Sequence, residues 1–307
     1  MNNSSRFSIS GFVKLPNLAA IGTLLFAGPS GLALETADVA PRNVQFIEKR
    51  ADQLSDNTPP SAEGRLALSI KPEKWKHAET DHFIIHYRRV TEAQKVVHEI
   101  EYHLWFVAKA LGATKERYAR KSHVFIFEDE EEWKEFLSKT SNPQWSGSFA
   151  HGDELFLSVR HSAGQFDDQT LAHETTHAVV ARLYPGARWP VWLSEGFAEY
   201  MGGASVGARK GITAKHFQRN LSYGDLPVEQ LTAMTSYPTD REAVHALYQS
   251  SERLIRFLMN EWPKEQFPLF VTQIMIGNDF QAAFKTVYGD KTKGFDAFAR
   301  KYDRFVR

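Results

Sequence analysis

The sequence predicts an α+β fold. Two observations carry that expectation: every strand-like run lies before residue 160, and helical periodicity dominates after it. Strands first and helices later is the order of α+β proteins rather than of doubly wound α/β sheets. At 307 residues, with 42% hydrophobic and 24% charged side chains, the chain can bury a substantial core.

At the start of the chain, Arg6 and Lys14 precede the uncharged run LPNLAAIGTLLFAGPSGLAL, Leu15–Leu34. A basic start, an apolar centre and small residues near Gly31 and Ala33 describe an export signal. A run of this length can also span a bilayer as an uncleaved anchor, although Pro16, Pro29 and the glycines weaken such a helix. Residues 1–34 are therefore read as a signal peptide or N-terminal anchor of a periplasmic or extracellular protein. Residues 35–73 read as a tether, with SDNTPPSAEG (Ser55–Gly64) as linker and a short helix near Val44–Leu54.

From residue 74 onward the pattern is that of a folded domain. HFIIHYR (His82–Arg88) and SHVFIFE (Ser122–Glu128) are rich in β-branched and aromatic residues and read as strands. Between them, Glu92–Gly112 has Val96, Ile100, Leu104, Val107 and Leu111 along one helical side. Asp129–Lys139 is a helix with acids in its first turn, where the dipole favours them. Ser146–Val159 reads as a hairpin turning at His151–Gly152–Asp153. Helices follow over Asp168–Tyr184, Ala243–Asn260, Lys264–Gly277 and Gly294–Val306. The domain divides into a sheet-containing lobe, about 74–185, and a helical lobe, about 186–307.

Composition narrows the chemistry. A formal net charge of zero and the lack of a long basic run argue against a nucleic-acid partner. With no cysteine, disulfides, thiolate metal sites and thiol nucleophiles are excluded.

The helix Asp168–Tyr184, with acidic capping candidates Asp167 and Asp168, contains HETTH. His173 and His177 are four residues apart and project from one helix face, so one tetrahedral zinc can take both. Glu174 between them can reach the open fourth position as general base. A third ligand is needed, and WLSEGFAEY supplies Glu195 and Glu199. Either carboxylate can serve. Ser194 as N-cap would place Glu195 in the first helical turn, which helps keep it ionised. Gly196 would remove bulk beside the metal. Glu199, one turn on, would accept a hydrogen bond from the outer nitrogen of a ligand histidine. His151, His161, His216 and His245 have no ligand-like spacing, which favours an open site over a closed structural one.

HETTH and SEGFAEY resemble the gluzincin metallopeptidases, whose second helix reads roughly Asn-Glu-Gly-Phe-Ala. Ser194 stands here in place of the asparagine. TDHFIIHYR, SHVFIFEDEEEW and LYQSSERLIRFL extend the likeness to the bacterial peptidase MA-like group, over about residues 75–260. The resemblance implies a zincin-like fold, a small mixed sheet with an edge strand from Phe149–Ser158 over the active-site helix, and a helical lobe closing the cleft. It implies one Zn2+ held by His173, His177 and Glu195, with Tyr248 as transition-state donor; the alternative for Tyr248 is an interior aromatic. The acidic strand by which aminopeptidases of the clan grip a free amine is lacking; Asp153 or Glu154 could replace it, or both could simply belong to the hairpin turn.

The expected function is an exported zinc-dependent peptidase acting on peptide or protein substrates, with membrane contact only through an uncleaved N-terminus. The alternatives are a zincin-like domain that binds peptide or envelope material without catalysis, or a zinc hydrolase of non-peptide substrates. Trp145 and WPVW (Trp189–Trp192) could line a substrate cleft or pack as core. Oligomeric state has no signature in the sequence.

Overall fold

FIIHY, SHVFIF and ELFLS form strands whose residues are all buried, because helices cover both faces of the sheet they build. The computed structural model describes residues 40–41, 43–55, 59–159, 168–211, 225–292 and 294–306. The expected export segment, Asp167, His161 and His216 lie outside the described residues. The strands are β1 (Ile47–Lys49), β2 (Lys76–Glu79), β3 (Phe83–Tyr87), β4 (Ser122–Phe127), β5 (Ser148–His151) and β6 (Glu154–Ser158). The helices are α1 (Ala62–Ser69), α2 (Val90–Ala110), α3 (Glu130–Ser138), α4 (Asp168–Leu183), α5 (Val191–Arg209), α6 (Val228–Thr232), α7 (Arg241–Glu261), α8 (Gln266–Met275), α9 (Phe280–Thr292) and α10 (Phe295–Val306).

The six strands form one mixed sheet in the order β1-β2-β3-β4-β6-β5. β3, β4 and β6 run parallel, while β1, β2 and β5 are antiparallel to their neighbours. Alternation sorts the side chains. Phe83, Ile85, Val124, Ile126, Leu155 and Leu157 join the large core built with α2, α4, α5 and the later helices. Phe125, Phe127 and Phe156 face the other way, into a second cluster with Trp75, Ile70, Trp133 and Phe136 from the α1 and α3 side. Each such burial contributes about 1.5–3 kcal/mol. The α+β expectation holds, and residues Glu35–Arg307 form one unit whose large core runs through both expected lobes.

The stretch 35–73 is more than a tether. Its expected helix near Val44–Leu54 is instead β1 followed by a 3₁₀ turn at Ala51–Gln53. Pairing with β2 and the 3.0 Å Lys49–Glu79 ion pair hold this segment extended, overriding local helical preference. Within the expected linker, Ser61 caps α1 by accepting from the Gly64 amide at 3.0 Å. α1 lies so close to the sheet that a Cβ at Gly64 would meet the Phe125 ring at 2.8 Å.

The hairpin turns where the sequence places it. Of the expected edge Phe149–Ser158, however, the outer strand is β5, and β6 lies one strand further in. Asp153 and Glu154 do not serve the cleft. Ser122 Oγ donates to Asp153 at 2.9 Å and Arg120 pairs with it at 2.7 Å. Ser61 donates from its amide and hydroxyl to Glu154 at 2.7 and 2.5 Å. Among the described residues no helix is long and apolar enough to cross a membrane.

Candidate metal centre

α4 is a largely buried helix whose threonines satisfy themselves locally. Thr175 and Thr176 hydroxyls donate back to the Leu171 and Ala172 carbonyls at 2.7 and 2.8 Å. His173 and His177 remain turned to one side, with their Nε2 atoms 3.1 Å apart. Glu174, partly buried on the next helix position, projects its charge onto His173, Tyr237 and Tyr248.

α5 supplies the third donor, but from a different start than the sequence suggests. Pro190, not Ser194, is the N-cap: the Leu193 and Ser194 amides both donate to its carbonyl, at 3.0 and 2.9 Å. A proline with fixed φ followed by an apolar first turn begins the helix early, so Glu195 sits in the second turn rather than the first. The released Ser194 hydroxyl instead lies 3.3 Å from His177 Nδ1. Glu199 Oε1 lies 3.3 Å from His173 Nδ1. Each imidazole therefore has its outer nitrogen beside a polar group and its inner nitrogen turned to the centre.

Glu195 Oε2 stands 3.5 Å from His173 Nε2 and 3.6 Å from His177 Nε2. Four-coordinate ligands at about 2.0–2.1 Å from one ion stand about 3.3–3.4 Å apart, so the observed triangle has the size of one face of such a tetrahedron. The Glu195 side chain is only 4% exposed, and its Oε2 makes no hydrogen bond among the described residues. A buried carboxylate oxygen and two imidazole nitrogens aimed at one another fit a shared divalent cation. Among the described residues this is the one trio of potential ligands whose donor atoms converge. Burial opposes charge on both partners. Glu195 and Glu199 nonetheless raise the His173 pKa well above the usual imidazole value, and the two histidines hold Glu195 well below the carboxylate range.

Gly196 has a different role from the one expected. A Cβ there would meet the Ser251 carbonyl oxygen of α7 at 2.5 Å, so the glycine admits a neighbouring helix rather than clearing room for the metal. At Gly202 a Cβ would stand 3.1 Å from the Gln169 carbonyl oxygen of α4, a close but looser approach.

The α7 contact delivers Tyr248, whose ring stacks on the His173 imidazole with centroids 6.2 Å apart and planes 11° apart. Burial, then Glu195, raises its hydroxyl pKa above the usual phenol value. Tyr237, from the segment between α6 and α7, donates its hydroxyl to Glu195 Oε1. Sequence reasoning missed it, and nothing in SYPTD marks that tyrosine as a site residue. Of the tryptophans offered for a cleft, Trp192 is core, packed on Phe270 and Phe280. Trp189 packs on Tyr184 and Phe197, and Trp145 is exposed.

The model of one protein family, described as the peptidase MA superfamily, matches residues 107–304. The curated proteins contain no match. The matched span takes in α4, α5 and α7 with every residue gathered around the centre, and it starts and ends later than the sequence likeness alone indicated. On that match the chain belongs to the peptidase MA superfamily.

Proposed function

We propose that the protein is an exported zinc-dependent peptidase, with His173, His177 and Glu195 holding one zinc ion. The observation that supports this most directly is the convergence of those three donors beside Glu174. Zinc bound there would act as a Lewis acid and provide a nucleophilic water near neutral pH.

Glu174, a turn-mate of both histidines, takes a proton from the attacking water and later hands it to the leaving amine. A partly buried carboxylate suits that work. The Tyr248 hydroxyl donates to the oxyanion that develops on the amide oxygen, a contribution worth about 10²–10³ in rate for one such donor. Glu199 and Ser194 fix the ligand imidazoles through their outer nitrogens. Export rests on the run Leu15–Leu34, with the mature protein starting between about residues 31 and 41. An intact mass that retains residues 1–30 would overturn cleavage.

Digestion of a peptide library by the zinc-loaded protein, read by mass spectrometry, tests the activity. Glu174→Gln is expected to abolish cleavage while zinc stays bound, and His173→Ala to lose both. A fully active Glu174→Gln protein would remove the general-base assignment.

A further inference from the structure

Glu195 divides its two oxygens between two tasks. Oε2 faces both Nε2 atoms at 3.5 and 3.6 Å and is otherwise unbonded among the described residues. Oε1 accepts from the Tyr237 hydroxyl. A carboxylate with both oxygens available can rotate and chelate an ion through the pair. That would occupy the fourth position, which a catalytic site must leave open.

From this division we infer that Tyr237 is a positioning residue that locks Glu195 into one-oxygen ligation and thereby keeps the fourth coordination position free. The inference rests on the zinc-peptidase reading of the same three donors. The phenol suits the task. An ordinary phenol keeps its proton up to about pH 10, so the hydroxyl can donate at neutral pH. It is also loop-borne, and about half of the residue (51%) is exposed. It therefore reaches the buried carboxylate from the solvent side, where neither α4 nor α5 offers a donor to Oε1 among the described residues.

The test compares the full-chain protein with Tyr237→Phe, which keeps the ring and loses only the hydroxyl, and with Tyr248→Phe. Zinc affinity is measured by chelator competition. Coordination is read from the visible spectrum of the cobalt(II)-substituted protein. Tyr237→Phe is expected to weaken zinc binding about 10–100-fold and to shift the cobalt spectrum, as the second carboxylate oxygen takes the place of the solvent ligand. The Tyr248 hydroxyl also interacts with Glu195, yet Tyr248→Phe should leave the cobalt spectrum unchanged and lower kcat.

Unchanged affinity and spectrum in Tyr237→Phe would overturn the inference while leaving the peptidase reading intact. So would a fall in kcat alone, which would place the hydroxyl on the substrate, or an equal spectral change in Tyr248→Phe. Failure of the unaltered protein to bind one ion through His173, His177 and Glu195 would instead remove the functional reading itself.

Discussion

Glu199 stands where a side chain would support the proposed metal centre without touching the ion. Its carboxylate lies 3.3 Å from His173 Nδ1, and in the proposed centre it would fix the tautomer that leaves Nε2 as ligand. Glu199→Ala is expected to lower zinc affinity about 10–100-fold in chelator titrations, with the fold unchanged by circular dichroism. Equal affinity would make Glu199 a mere helix charge. Ser194→Ala removes a weaker, neutral contact at 3.3 Å and should cost less. The centre was legible in the sequence where geometry is local. Four-residue spacing on one helix determines that His173 and His177 meet, and Glu195 and Glu199 repeat that logic one helix on. Ser194 was read as a cap because serine is a good one, and the prolyl start of α5 overrides that preference. Tyr237 reaches Glu195 across a loop and two helices, and no periodicity encodes such a contact.

At the level of elements, α5 is held between α4 and α7 by bare backbone. Adding a methyl group at Gly196 places it 2.5 Å from the Ser251 carbonyl oxygen, which belongs to a helix and cannot rotate away. Gly196→Ala is expected to destabilise the fold by about 1–3 kcal/mol, as overpacking does, and to lose zinc affinity with it, because α5 carries Glu195. Urea denaturation with the unaltered protein alongside measures the first effect. An unchanged midpoint would mean that the two helices can separate freely. Elements with strong internal patterns were visible from sequence: α2, α3, α4 and α7 within a few residues, and β3, β4 and the β5–β6 hairpin. β1 (IEK) and β2 (KHAE) were not, since their polar sequences become strands only by pairing with β3 and one another. α6 and α9 were also passed over. The stripe Phe280, Ala283, Phe284 and Tyr288 in α9 does carry helical spacing.

For the whole molecule, acid is the expected weakness. His103 is fully buried in α2, and burial pushes its pKa down to about 3. His86 lies in a hydrogen-bonded series with His77 and His123 across β2, β3 and β4, at 2.8 and 2.9 Å. Burial, then the charges of His123 and His77, hold it well below the usual imidazole value. Unfolded histidines take up protons near pH 6.5, and these folded ones refuse them until far lower pH. Below about 6.5 the unfolded chain thus binds more protons, and stability falls with acidification by up to about 1.4 kcal/mol per pH unit for each such group. Glu79 adds to this in the same direction. Against its burial, Lys121, Ser55 and Lys49 draw it down to about 2, so the stability it contributes above its ordinary value of 4.5 is lost as pH falls towards 2. Urea midpoints should decline steadily from about pH 7 to about pH 4, and His103→Leu should flatten the slope. A constant midpoint across that range would count against both assignments.

The two glycine contacts of α5 also bear on which ions the protein can tolerate. Where helices meet backbone to backbone, no intervening side chain can give, and the backbones that carry His173, His177 and Glu195 keep their separation unless a whole helix shifts. A hard cation such as calcium, which seeks about 6–8 oxygens in a pliable shell, would find in the proposed centre two nitrogens and one oxygen on closely packed helices. In the proposed centre, discrimination against calcium would thus follow from the way three helices touch.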